Sequence, residues 1–241
     1  MYLIIDVGNT RIKLAVSNGE ELIHNEIITY SELEKTAFFL IEKYQISDGI
    51  ISSVADIKKD VIFKIKNKIK LLTLNSKTKI PFKNKYSTPK TLGVDRIALI
   101  AAATKCYPHK NVLVIDAGTC ITYDFVNSIS EYYGGAISPG LNMRYKSLNY
   151  FTKKLPKLEI KFPTKLIGDS TEECIHVGVS MSVINEIDSY IDLYKEKNKD
   201  LMVVLTGGDI NFLSNNLKNS IFANPNFLLL GLNSILLHNI L

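Results

Sequence analysis

Residues 1–16 read MYLIIDVGNTRIKLAV, and residues 111–126 read NVLVIDAGTCITYDFV. Each stretch opens with an apolar run that reads as a buried strand. Each then passes through Asp-x-Gly, with Asn9 and Thr10 or Thr119 beside it, into a second strand, which in the later copy carries Thr122. Gly8 and Gly118 are expected to supply the positive φ of a tight hairpin and to let a ligand approach bare backbone. Hydroxyl and amide side chains beside them are donors, and Asp6 or Asp116 at the strand end can hold a hydrated cation. One such hairpin is explained by turn chemistry alone. Two copies, each opening an α/β segment, point to a duplicated phosphate-binding device in two related domains that close on a nucleotide.

The intervening sequence reads as α/β. Ser31 and Glu34 have capping-box spacing ahead of Leu33, Ala37, Leu40, Ile41 and Tyr44, which share one helical face. A strand over 49–54, an amphipathic helix over 58–70 and a short strand over 71–74 follow. Residues 75–89 are polar, contain Pro81 and Pro89, and read as a loop. The spacing of Ile97, Ile100, Ala101 and Thr104 predicts a helix over 93–105, and Pro108 closes the first half. The domains are therefore expected at 1–108 and 109–241. In the second half, Gly134, Gly135, Pro139 and Gly140 are expected to form a turn leading into a helix over 141–150. A long helix over 171–195 precedes a buried strand over 201–205, which ends in Thr206-Gly207-Gly208. The apolar run 227–241 is interrupted by Asn233, Ser234, His238 and Asn239 and is shorter than the ~20 apolar residues that cross a bilayer. It reads as a buried terminal helix.

A chain of 241 residues can bury a substantial core, and 46% hydrophobic against 22% charged residues is a globular balance, not a disordered one. The net charge of +5 suits anionic substrates but is too dispersed for nucleic acid. Its densest basic stretch, 58–70, sets lysines opposite Ile57, Val61, Ile65 and Ile69, the solvated side of an amphipathic helix. Cys106, Cys120 and Cys174 are odd in number and widely spaced. They imply neither a disulfide framework nor a zinc site, and they suit a reducing cytoplasm. The sequence opens on a strand-like segment and not on a signal peptide. His24, His109, His176 and His238 have no metal-binding spacing.

Five segments, in order, resemble type III pantothenate kinases: Asp6-Val7-Gly8-Asn9-Thr10-Arg11-Ile12-Lys13; Gly93-Val94-Asp95-Arg96; Asp116-Ala117-Gly118-Thr119; residues 134–140, GGAISPG; and Ile167-Gly168-Asp169-Ser170-Thr171. Thr206-Gly207-Gly208 is a less specific companion. The resemblance implies two ribonuclease H-like (actin-like ATPase) domains and ATP-dependent phosphorylation of pantothenate to 4'-phosphopantothenate, the first step of coenzyme A biosynthesis. Cys120 stands where this family usually has alanine. Residues 172–178, EECIHVG, depart from its more usual Ser/Gln-rich form, which leaves the subunit contact there open.

The resemblance also implies roles. Residues 6–13 and Thr119 would contact ATP, Asp6 would orient Mg²⁺ through water, and Asp116 would carry a monovalent cation, K⁺ or ammonium. Tyr86, Gly93, Val94, Asp95 and Arg96 would line the pantothenate pocket, with Asp95 as general base. Thr171 would complete that pocket from the other subunit of a homodimer. The residue types agree with these roles, because a carboxylate within reach of a primary hydroxyl can accept its proton, and an arginine fork can grip a carboxylate. Each also has a plainer reading: Lys13 as a solvated strand lysine, Asp95 as a helix-terminal carboxylate, Tyr86 as a packed loop aromatic, Thr171 as a helix-start hydroxyl. Gly207 and Gly208 serve adenosine or a tight turn equally well. The rival activities are another actin-like phosphotransferase (a sugar kinase or an exopolyphosphatase) and a non-catalytic regulatory binding protein. Loss of Asp6, Lys13 or Asp95 would favour the last, and all three are present.

Overall fold

The computed structural model describes residues 1–240. It divides into two compact units: unit 1 holds residues 1–109, 129–133 and the segment from Asn226 onward, and unit 2 holds 110–128 and 134–225.

In unit 1, β1 (Tyr2–Val7) is the central strand, with Leu3, Ile4, Ile5 and Val7 fully buried. β2 (Ile12–Ser17) returns antiparallel to it, and β3 (Leu22–Ile28), not anticipated from the sequence, pairs antiparallel with β2. Helix α1 (Leu33–Tyr44) crosses over to β4 (Asp48–Ser53), which lies parallel to β1. Helix α2 (Lys59–Lys66) crosses over to β5 (Lys70–Thr73), parallel to β4. The strand order is β3-β2-β1-β4-β5. Ile65 and Ile69 are buried and Val61 packs against the same core, so the α2 lysines do lie on its wet side.

The expected Ser31–Glu34 capping box is not formed. Thr29 takes the role two residues earlier, its backbone N–H and hydroxyl both donating to the Glu32 carboxylate, at 2.8 and 2.7 Å. The chain makes a 3-10 turn over Tyr30–Glu32 before α1 begins, and Glu34 instead pairs with Lys64 of α2 at 2.7 Å. The short β6 (Lys83–Asn84) interrupts the predicted 75–89 loop. It is followed by α3 (Val94–Cys106), whose residues from Arg96 to Ala103 are all buried.

Unit 2 repeats the plan. β7 (Val112–Ala117) is central, β8 (Cys120–Val126) returns antiparallel, and β9 (Glu131–Pro139) borders β8; its first three residues group with unit 1, where Glu131 and Tyr132 pair with β6. Helices α4 (Leu141–Phe151), α5 (Thr171–His176) and α6 (Ser182–Lys197) precede β10 (Met202–Thr206), and α7 (Ile210–Ser214) leads to β11 (Phe222–Ala223), both strands parallel to their inner neighbours. The order is β6-β9-β8-β7-β10-β11, which apart from the added β6 is that of the first sheet. Two expectations are corrected. Gly134 and Gly135 lie inside β9, not in a turn, and only Gly140 separates strand from helix. The helix over 171–195 is broken by a π-turn over Val177–Met181.

Helix α8 (Phe227–Ile240) is buried over most of Phe227–Leu236, as expected of the terminal run, and exposes His238 and Ile240 in its last turn; Leu241 lies outside the described residues. Although the sequence assigns it to a domain over 109–241, its contacts are with α3 and β1 of unit 1. The physical reason is a close fit: a Cβ on Gly231 would lie 1.8 Å from the Ala98 carbonyl oxygen.

Candidate active site

Ladder register assembles the first half of the site. Asp6 stands opposite Lys13 in the β1–β2 pair and opposite Ser52 in the β1–β4 pair, so the three side chains share one face of the sheet. The Ser52 hydroxyl donates to the Asp6 carboxylate at 2.8 Å. Asp6 is only 8% exposed. Burial lifts its pKa to about 6 against the Ser52 hydrogen bond and the Lys13 charge, which lower it, and the nearby Asp95 charge adds to the rise. Asp6, Lys13 and Asp95 thus form one electrostatic cluster.

The first hairpin leaves Asn9, Thr10 and Arg11 exposed, with Gly8 N–H donating to the Arg11 carbonyl at 3.1 Å and the Tyr30 hydroxyl donating to the Gly8 carbonyl. Neither Gly8 nor Gly118 has positive φ, which corrects that expectation; the glycines that do are Gly19, Gly134 and Gly207. The hairpins close with ordinary backbone, and what glycine supplies at Gly118 is bare surface, with no atom within 4 Å of where a Cβ would stand.

Gly93 is the N-cap of α3, and Asp95 lies one residue into its first turn. The Asp95 carboxylate accepts a hydrogen bond from the Arg96 backbone N–H at 2.8 Å, and its Oδ1 occupies space that a Cβ on residue 93 would invade at 2.3 Å. The helix-terminal reading of Asp95 is realised, with Oδ1 held by the helix. Arg96 is 6% exposed, and its guanidinium lies 5.6 Å from the Tyr86 ring centre. Tyr86 stacks on Tyr132 at 6.1 Å and 20°, and Tyr132 meets the edge of Phe82. Tyr86 and Arg96 are thus neighbours, held by a tyrosine the sequence gave no reason to select.

In unit 2, Asp116 stands opposite Thr122 on β8 and Thr206 on β10. The Thr122 hydroxyl is buried and has no hydrogen-bond partner among the described residues. Gly207 has φ +100°, and a Cβ there would lie 2.2 Å from the Ala117 carbonyl oxygen and 2.5 Å from Asp116 Oδ1. This favours the close-turn reading of Gly207. Thr119 is exposed at the tip of the second hairpin. Thr171 opens α5, but Ser170 is its N-cap, accepting from the Glu173 N–H at 3.2 Å. The capping role expected of a helix-start hydroxyl thus falls to Ser170. Thr171 is exposed in an open groove of about 930 Å³, lined also by Arg144, Leu148, Leu155, Ile175 and Val179. Exposed Tyr150, Phe151, Leu166 and Ile167 lie on neighbouring segments of the same unit.

The family model for type III pantothenate kinase matches residues 2–193. The type III pantothenate kinase of Christiangramia forsetii is 49% identical over 240 residues, covering 99% of both chains. That of Flavobacterium johnsoniae is 46% identical over 230 residues, covering 95% of this chain and 94% of its own. Among solved structures, a Campylobacter jejuni protein described as a Baf family transcriptional activator aligns over 98% of both chains, with TM-score 0.63 at 22% identity. The Thermus thermophilus ROK hexokinase aligns over 99% and 98%, with TM-score 0.53 at 11% identity. These structures speak for the fold, an actin-like pair of units. Full-length identity near one half and the family match over residues 2–193 decide the rest: the chain belongs to the type III pantothenate kinase family.

Proposed function

We infer that this chain transfers the γ-phosphoryl group of ATP to the primary hydroxyl of pantothenate, giving 4'-phosphopantothenate and ADP at the entry to coenzyme A synthesis. The observation that carries the reading is the clustering of Asp95 with Asp6 and Lys13, with Arg96 and Tyr86 adjoining in the same unit. Phosphoryl transfer needs charge neutralisation, positioning and a base. The backbone of exposed Asn9, Thr10 and Arg11 and the Lys13 ammonium would hold ATP phosphates, with Thr119 serving the nucleotide from the second hairpin. The Arg96 fork would hold the pantothenate carboxylate against Tyr86, with Gly93 and Val94 lining the same pocket. Asp95 would take the hydroxyl proton as the oxygen bonds to phosphorus and the bond to ADP breaks.

A divalent metal fits the buried Asp6: burial pushes its carboxyl up to about 6, and a cation beside it would favour the charged form. Mg²⁺ supplies neutralisation of the phosphates, and Asp6 would orient it through water. A monovalent cation, K⁺ or ammonium, fits Asp116, because the unpartnered Thr122 hydroxyl stands opposite it as a spare oxygen ligand. The groove at Thr171 and its exposed apolar neighbours support a homodimer in which Thr171 closes the partner's pantothenate pocket. No helix among the described residues is long and apolar enough to cross a membrane. The three free cysteines suit the cytoplasm as the place of action.

The deciding experiment measures ATP-dependent phosphorylation of pantothenate by the purified protein, with and without K⁺, beside glucose and polyphosphate. Phosphorylation of glucose but not pantothenate, or no transfer to any acceptor, would overturn the reading.

A further inference from the structure

Arg144, in the first turns of α4, turns back on the strand that precedes its helix. Its Nε donates to the Pro139 carbonyl at 2.8 Å, and its Nη2 donates to Ser138 Oγ at 2.6 Å and to Glu186 Oε2 of α6 at 2.5 Å. The other Glu186 oxygen, Oε1, accepts from the Tyr123 hydroxyl of β8 at 2.9 Å. One carboxylate therefore ties α4, α6, β8 and the end of β9. The pair is about three-quarters buried, so these are not loose surface contacts. Burial pushes the Glu186 carboxyl up, but the hydrogen bonds from Arg144, Ser138 and Tyr123 outweigh it and hold the group below the usual range.

What this clamp holds is the approach to the second hairpin. Gly140, directly after Pro139, donates its N–H to the Thr119 carbonyl at 3.0 Å. A Cβ on Gly140 would lie 2.1 Å from the Gly118 carbonyl oxygen and 2.7 Å from that of Thr119. The start of α4 is thus pressed directly onto the turn that carries Thr119, and any shift of Ser138–Pro139 moves that turn. The Thr119 carbonyl is held by the Gly140 N–H, and the Gly118 carbonyl oxygen lies where a side chain on residue 140 would stand, so the hairpin and the start of α4 fit closely.

We propose that Arg144 and Glu186 are positioning residues for the nucleotide: through Pro139 and Gly140 they fix the second hairpin in its ATP-binding geometry. The proposal rests on the reading of Thr119 as an ATP contact. Ångström-scale misplacement of a positioned group is enough for losses of tenfold or more, and two residues acting through one contact are not additive.

The test is Arg144→Ala, Arg144→Lys, Glu186→Gln and the double Arg144→Ala/Glu186→Gln. MgATP affinity is read by calorimetry in the full-length protein without pantothenate, steady-state constants are read for both substrates, and melting temperature is recorded alongside. Expected for Arg144→Ala is an ATP affinity about tenfold weaker and a KM for ATP raised alike, with the pantothenate KM within about twofold. Arg144→Lys restores part of the loss, and the double variant is no worse than the single by more than about twofold. A lowered melting temperature with unchanged ATP affinity makes the network merely structural and overturns the proposal. An equal rise in the pantothenate KM assigns Arg144 to the Thr171 groove and also overturns it. If the unaltered protein binds MgATP but does not phosphorylate pantothenate, the substrate reading fails, while the clamp is still judged by ATP affinity. If it does not bind MgATP, both fail.

Discussion

Asp6 and Ser52 face each other across the parallel β1–β4 ladder, and the Ser52 hydroxyl donates its hydrogen bond to a carboxylate that is almost wholly buried. That burial has a thermodynamic sign. Between the ordinary value of 3.8 and the folded value of about 6, the native state binds more protons at Asp6 than the unfolded chain does. Stability contributed by this group is therefore present at low pH and lost as pH rises through that window. Asp6→Asn keeps an acceptor for Ser52 without the charge. The variant should lose activity yet melt higher at pH 7.5, by about 1–3 kcal/mol of stability without nucleotide, and the gain should vanish near pH 4. Denaturant titrations at both pH values check this; an Asn variant less stable than the parent at pH 7.5 would contradict it.

Asp95→Asn should cut turnover by about 10²-fold or more while pantothenate and MgATP still bind with near-parental affinity by calorimetry. Near-normal turnover removes Asp95 as the base. Gly93→Ala should also lower turnover, since the added methyl competes with Asp95 Oδ1 for the same space.

Activity should rise with K⁺ or ammonium and remain low in Na⁺ alone. Asp116→Ala should blunt that response. Thr122→Val is the sharper probe: it removes a hydroxyl with no partner among the described residues, so stability should hold or rise slightly while the K⁺ requirement shifts. Equal rates in all three salts would end this reading.

Asp95→Asn and Thr171→Arg, each inactive alone, should regain partial activity when subunits exchange. In a mixed dimer with shared sites, one site carries both lesions and the other neither. A stable dimer should bury about 2,000 Å² or more. A monomer by light scattering, or no recovery after proven exchange, decides against sharing.

The two hairpins were legible because strand alternation and Asp-x-Gly spacing are local, and the ladder then places Lys13 opposite Asp6 without further information. Asp95 and Arg96 were legible as a helix start. Ser52 was not, because β4 reads only as an apolar strand until its register against β1 is known. Tyr132 escaped for the same reason: its stack on Tyr86 depends on β6 pairing with β9, a contact across 48 residues. Arg144 and Glu186 are 42 residues apart and look like ordinary helix-surface charges until the helices pack. The capping box slipped from Ser31–Glu34 to Thr29–Glu32 because two overlapping S/T-x-x-E spacings compete there, and the one whose first residue is extended, Thr29, won, while Ser31 lies inside the 3-10 turn.

The grouping of α8 with unit 1 sets an order of events on the ribosome. Leu229, Leu232, Ile235 and Leu236 are buried in unit 1, and their partners on α3 are translated more than a hundred residues earlier. Until residues 227–240 emerge, the apolar outer side of α3 has no cover, whereas unit 2 is complete in the chain by residue 225. The later-made unit can therefore finish folding first, and the nascent first unit is the natural client of a chaperone during synthesis.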